Sequence, residues 1–278
     1  MAVILDGKET SAKIVEEVRA EVEKLKAKGV NPTLALILVG ADPGSTRYVN
    51  IKVKRAEEIG ITAQLHHLET ATTEQVISLI KRLNADPKVH GVMVQLPAPK
   101  EVNEGEIVEA IAPEKDVDAL SPVTFGKIVL GEQSFLPAGV EAIMELLKRY
   151  SIDPEGKHWV VAGLPSWLGK PMAALLLNKR VEVTAFAAGD ARLPEFVKQA
   201  DVLCIEVHKK WIVTAEMVKK GVIVIDNGNS YEGKRVFGDV DYEGVSPLAS
   251  AITPVPGGVG PMLITMLLRN TVNAARTA

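Results

Sequence analysis

The chain has 278 residues, 47% hydrophobic and 24% charged, with a formal net charge of -3 and a pI near 6.0. That length suits two modest cores, and the charge offers no bulk attraction to nucleic acid or to an anionic membrane. The single cysteine, Cys204, excludes an internal disulfide and a cysteine-cluster metal site; with no apolar run near membrane length and no secretion signal over residues 1–6, a cytoplasmic protein is expected.

Apolar residues at Ile14, Val15, Val18, Val22 and Leu25 make residues 7–28 an amphipathic helix that Gly29 stops. Residues 34–39 are too short for a helix and apolar throughout, as a parallel strand buried on both faces requires. Residues 43–59 read as a helix with Asp42 or Ser45 as cap and Gly60 as stop. A strand over 62–68 follows, then a helix over 73–83 capped by Thr72 or Thr73. Residues 91–97 run apolar and end in the amide of Gln95, at the end of a strand where open α/β sheets bind ligands. After a helix over 104–111, Asp116 and Asp118 share a direction if their loop is extended. Another amphipathic helix covers 140–150.

Tyr48 and Lys52, four apart, share one face of their helix. A lysine moves protons near neutral pH only when burial or a neighbouring cation lowers its pKa, and a phenol beside it supplies an aromatic wall and a polar tip. Taken alone, the pair reads better as a solvated lysine next to a half-buried tyrosine.

The second half alternates regularly. Strands are expected at 159–162, 181–186, 201–207 and 222–226, and helices at 171–178, 193–199 and 214–220. Such βα repeats imply a parallel sheet flanked by helices, the architecture that often binds dinucleotides. Gly163 and Gly169 flank the first turn without spelling the dinucleotide fingerprint. Residues 253–262, Thr-Pro-Val-Pro-Gly-Gly-Val-Gly-Pro-Met, cannot form a regular element and hold backbone torsions that let a ligand approach closely. A helix over 261–276 closes the chain, long enough to return to the first half. The fold expected is α/β: an N-terminal domain over 1–136, with the closing segment 261–278 packed back on it, and a Rossmann-like doubly wound domain over 137–260.

With Tyr48-x-x-x-Lys52, residues 94–97 (Val-Gln-Leu-Pro), residues 115–118 (Lys-Asp-Val-Asp) and the 253–262 motif in this order, the chain resembles the bifunctional methylenetetrahydrofolate dehydrogenase/methenyltetrahydrofolate cyclohydrolase family along nearly its whole length. The resemblance implies oxidation of methylene- to methenyl-tetrahydrofolate with NADP, then hydrolysis to 10-formyl-tetrahydrofolate, in a cleft between two domains. It implies Lys52 as the acid/base, Tyr48 stacked on the folate, Gln95 holding and tuning the lysine, and Asp118 on the pterin. Leu96, Pro97, Pro256, Gly257 and Gly258 would also line the folate. Gly163, Leu164, Pro165, Ala187, Ala188, Asn229 and Thr253 fall where the family holds its cofactor. A homodimer, no nucleic-acid or membrane partner and no metal are further implications.

The match fails in the second half. The family's Gly-Arg-Ser turn reads Gly163-Leu164-Pro165, and its Cys-His-Ser segment reads Phe186-Ala187-Ala188, so donors for the 2'-phosphate of NADP are gone. Glu206 and His208 replace small residues, and a glycine usual after the pterin aspartate is Ala119. The expectation is a cyclohydrolase with weakened or lost hydride transfer. An NAD-specific dehydrogenase, with Asp190 as a ribose acid, and a non-catalytic folate-binding or regulatory paralogue stand as alternatives.

Overall fold

The computed structural model describes residues 2–132, 134–164 and 167–277. In chain order the first elements are β1 (Val3–Ile4), α1 (Gly7–Ala27), β2 (Thr33–Val39), α2 (Pro43–Glu58), β3 (Thr62–Leu68), α3 (Thr73–Ala85), β4 (Gly91–Val94), α4 (Glu104–Glu109), α5 (Pro122–Leu130) and α6 (Ala138–Arg149). Then come β5 (His158–Leu164), α7 (Gly169–Asn178), β6 (Glu182–Ala187), α8 (Leu193–Val197), β7 (Val202–Ile205) and β8 (Ile223–Asp226). The hairpin strands β9 (Ser230–Glu232) and β10 (Arg235–Phe237), α9 (Tyr242–Val245), β11 (Ala251–Ile252) and α10 (Leu263–Thr277) complete the chain.

Two compact units result. One gathers residues 12–127, 132–138 and 264–278; the other gathers residues 1–11, 128–131 and 139–263. The first is built on a parallel three-stranded sheet, order β3-β2-β4. Every residue of the central strand β2 is buried, and burial of each large apolar side chain there contributes about 1.5–3 kcal/mol. Asp42 caps α2 by accepting from the Ser45 amide at 2.7 Å. Thr72 and Gln75 close a capping box on α3.

The second unit carries a six-stranded parallel sheet, order β1-β11-β8-β7-β5-β6. From β5 the chain steps outward to β6 and then back to β7, so the strand order reverses between β5 and β7, where such sheets open a ligand crevice. Cys204 is buried on β7, and burial pushes its thiol pKa up.

Two expectations fail locally. The helix expected over 214–220 is a single 3-10 turn, Ala215–Met217, because Val218 is extended and buried against the core. The segment around Asp116 and Asp118 is not extended throughout: Asp116 bridges to Val92, whereas Ala119 is left-handed with φ 57°. The sequence reading missed α5, the β9–β10 hairpin, the four-residue helix α9 and the two-residue strands β1 and β11, which are too short or too evenly apolar to show a period.

Candidate functional site

In the first unit the site forms at the carboxyl ends of β2 and β4, where α2 leaves the sheet. Lys52 lies one turn after Tyr48 on α2, buried with 5% of its surface exposed. Its Nζ donates to Gln95 Oε1 at 2.9 Å and lies 3.3 Å from Met93 Sδ. The Tyr48 ring centroid is 4.9 Å from Nζ, with Tyr48 itself 41% exposed. Burial lowers the Lys52 pKa to about 8, and the charge of Asp118 partly opposes that shift. The alternative of a solvated lysine is thereby excluded.

A neutral amine has two hydrogens and one lone pair. With Gln95 and Met93 taking the hydrogens, the lone pair is left for an incoming proton. Gln95 is itself fixed, since its amide nitrogen donates to the Leu96 carbonyl at 2.6 Å and its backbone N–H to Ile37 at 2.8 Å. The following Leu96–Pro97 peptide is cis. Met93 was not anticipated, although residues two apart on a strand share a face and Met93 lies two before Gln95.

Asp118 retains some surface exposure, yet its carboxyl is enclosed deeply enough that burial raises its pKa; Lys52 opposes the rise and Asp116 adds to it. Its loop is anchored from three sides. Lys115 Nζ donates to the carbonyls of Leu83, Asn84 and Asp86 at 2.7–3.0 Å, closing the end of α3. Asn270 on α10 donates to the Val117 carbonyl at 3.0 Å. A Cβ at Gly91 would stand 2.9 Å from the Val117 side chain, so the loop rests directly on β4.

Asp116 serves the fold. Fully buried, it accepts from the Ser121 amide at 3.0 Å and the Thr124 hydroxyl at 2.6 Å, and so starts α5. Ala119 takes a left-handed conformation at a cost of about 1–2 kcal/mol for a residue with a Cβ. Ala119→Gly is accordingly expected to raise stability by about 1 kcal/mol, read as a higher urea midpoint with unchanged slope; a lower midpoint would contradict the strain.

In the second unit, Gly163 is the last but one residue of β5, with φ 122°, and a Cβ there would collide with the Glu206 carbonyl after β7. Only glycine lets these two strand ends meet at the switch point. Leu164, Ala187 and Ala188 offer no side-chain donor, and the Ala188 amide bonds to the Leu164 carbonyl at 3.2 Å. Pro165 lies outside the described residues. Asp190, beyond β6, is gripped by Arg192 through Nε at 3.1 Å and Nη2 at 2.9 Å, which lowers its carboxyl pKa to about 2. Glu206 accepts from the Asn227 amide at 2.6 Å, and Asn229 donates through its backbone to His208 at 3.3 Å.

Thr253 is buried, accepts from the Asp226 amide at 2.8 Å and joins the 253–262 loop to β8. In that loop Val255–Pro256 is cis, Gly257 has φ 122°, and the Gly257 carbonyl accepts from the amides of Gly7 and Lys8. A Cβ on Gly258 would press on Thr253 and Pro254. Among the described residues, no group of three His, Cys, Asp or Glu side chains is placed to hold a metal. No described helix is long and apolar enough to cross a membrane.

The fold is a parallel α/β architecture whose first unit holds a buried lysine of lowered pKa, bonded to an amide and close enough to Asp118 to feel its charge, an arrangement suited to moving protons on a small substrate. The family model "Tetrahydrofolate dehydrogenase/cyclohydrolase, catalytic domain" matches residues 5–118, and the corresponding "NAD(P)-binding domain" matches residues 137–278. The chain belongs to this tetrahydrofolate dehydrogenase/cyclohydrolase family of one-carbon metabolism. It is 49% identical over 277 residues to the bifunctional protein FolD of Acetivibrio thermocellus, covering 99% of this chain and 97% of that one. The crystal structure of the bifunctional enzyme FolD from Campylobacter jejuni superposes with a TM-score of 0.97 at 44% identity, covering 100% and 99% of the two chains. The Trypanosoma brucei enzyme, solved with NADP cofactor and inhibitor, gives 0.92 at 32% identity over 99% and 98%.

Proposed function

We propose that this chain hydrolyses 5,10-methenyltetrahydrofolate to 10-formyltetrahydrofolate, with Lys52 as the acid/base, Gln95 positioning it, Tyr48 against the folate and Asp118 on the pterin. The observation that carries the reading is the Lys52 amine, buried, bonded to Gln95 and brought to a pKa of about 8.

The methenyl carbon sits between two nitrogens that share one positive charge. Water attacks that carbon, an electron pair moves onto nitrogen, and the neutral Lys52 amine takes the water's proton. The lysine ammonium then returns a proton to N5 as the C–N5 bond breaks; the hydroxyl proton leaves to solvent and the formyl group remains on N10. A cationic substrate beside Lys52 favours its neutral form further. Asp118, an acceptor when ionised, matches the N–H donors of a pterin ring. Leu96, Pro97, Pro256, Gly257 and Gly258 are proposed to line the folate. The direct test is methenyl-folate hydrolysis by the purified chain; folate binding without turnover would favour a non-catalytic paralogue.

The dehydrogenase reaction is proposed to be weakened with NADP. A bound dinucleotide would accept hydride from the methylene carbon, and the ends of β5 to β8, with Gly163, Leu164, Ala187, Ala188, Asn229 and Thr253, would hold it. There Gly163 brings the ends of β5 and β7 together with no side chain between them, at the switch point where such sheets hold a dinucleotide. Its 2'-phosphate, however, would meet alanines and an arginine already committed to Asp190. NADP is therefore expected to bind no tighter than NAD by calorimetry, and Asp190→Ala, which frees Arg192, to tighten NADP about tenfold while leaving NAD within about twofold. Equal NADP affinity before and after the substitution would reject this account. A homodimer through a sheet edge is also proposed, and light scattering should then give twice the 29.9 kDa chain mass.

A further inference from the structure

The rim of the crevice over β5, β7 and β8 is rich in acceptors and short of donors. After β7 the amides of Val207, His208 and Lys209 all donate to the Asp239 carboxyl, at 2.6, 3.2 and 2.7 Å. After β8 the Asn227 amide donates to the Ile205 carbonyl at 2.9 Å, the Gly228 amide to Asp226 at 2.9 Å and the Asn229 amide to His208 Nδ1 at 3.3 Å. The backbone donors with which strand ends commonly hold an anion are thus committed on both strands.

Glu206 is the first residue beyond β7, at the switch point itself. Its amide donates to the Ala162 carbonyl of β5 at 2.9 Å, and its own carbonyl lies where a Cβ on Gly163 would fall, so its backbone is seated against β5. The side chain is half-buried, and Oε1 accepts from Asn227 Nδ2 at 2.6 Å, which fixes the carboxylate across the ends of β7 and β8. Its charge is felt inside the sheet: together with burial and Asp226 it raises the pKa of the Cys204 thiol two residues back. A dinucleotide lying over this switch point brings the two negative charges of its pyrophosphate to the strand ends. There they would meet occupied amides and a fixed carboxylate of the same sign. Adenine and its ribose carry no charge and are not opposed.

We propose that Glu206 is a specificity-determining residue that turns the pyrophosphate common to NAD and NADP away from this crevice, so that the second unit favours ligands without a phosphate at that point. This goes beyond the missing 2'-phosphate donors, which concern NADP alone, and rests on the reading that a dinucleotide would lie over β5 to β8.

The test measures Kd for NAD, NADP and adenosine by ligand-observed NMR at low ionic strength, on the wild-type chain, Glu206→Gln and Glu206→Asp. Glutamine keeps the size of the side chain and an oxygen for Asn227, but not the charge. Glu206→Gln should tighten NAD and NADP alike by about tenfold and leave adenosine within about twofold, whereas Glu206→Asp, which keeps the charge, should hold all three ligands within about threefold of the wild type. Repulsion is screened by ions, so salt at about 0.5 M should tighten NAD binding to the wild-type chain, a test that needs no variant. Unchanged dinucleotide affinity in Glu206→Gln, an equal gain for adenosine, wild-type NAD binding that weakens with salt, or no NAD binding by either protein overturns the proposal. A gain in both dinucleotides with no effect of Asp190→Ala on NADP rejects the 2'-phosphate account and leaves this one standing.

Discussion

Lys52→Met is expected to cut methenyl-folate hydrolysis by about 10³-fold and, at neutral pH, to leave a protein more stable than the wild type. The loss follows from removing the group that carries the proton, an effect that ranges over about 10²–10⁴ for general acid–base catalysis. The gain follows from linkage. The folded pKa of Lys52, about 8, lies below that of an unfolded lysine, so between about pH 8 and 10.5 the unfolded chain holds more protons and stability rises with pH. Below pH 8 both states are protonated and the full penalty of the buried charge applies, roughly 3 kcal/mol. Methionine fills a similar volume without a charge, so part of that penalty disappears. Hydrolysis at wild-type rate by a well-folded Lys52→Met protein would remove the lysine from the mechanism. A large fall in stability would instead show that its burial is not costly.

The second large effect is structural and separates two acids that stand two residues apart. Asp116→Ala should destabilise the protein by about 3–5 kcal/mol, measured by urea unfolding, because it strands the Ser121 amide and the Thr124 hydroxyl in a fully buried site and uncaps α5. Asp118→Asn should leave the unfolding midpoint within about 1 kcal/mol and instead raise the folate Kd by about ten- to a hundredfold, since the amide presents one acceptor where the carboxylate presents two. If Asp116→Ala unfolds at the wild-type midpoint, or if Asp118→Asn proves the more damaging to stability, the two roles are wrongly divided.

The sequence made much of this visible, for physical reasons that differ from place to place. The buried strand β2 declares itself because the six consecutive apolar residues 34–39 leave no polar face, and α2 and α3 because their caps are encoded in Asp42 and Thr72. Pairing Lys52 with Tyr48 needs only the helical repeat. Placing Gln95 on that lysine needs the strand order, which brings residues 43 apart within hydrogen-bonding distance. No local pattern distinguishes Asp116 from Asp118; the left-handed Ala119 and the start of α5 decide which carboxyl turns inward to the fold. The anchoring by Lys115 and Asn270 is likewise invisible locally, because their partners are backbone carbonyls on other elements. In the second unit the alanines at the end of β6, Ala187 and Ala188, were legible as missing donors. That Asp190 would occupy Arg192 was not, since a pair two residues apart forms only when the turn folds it so.

The most direct test of Lys52, with its lowered pKa, as the proton carrier is the pH dependence of kcat/KM for methenyl-folate hydrolysis, which reports the ionisation of the free enzyme. The account predicts activity rising with unit slope and levelling above about pH 8, with that limb absent from the residual activity of Lys52→Met. A profile flat from pH 6.5 to 9.5, or the same inflection in both proteins, would contradict it.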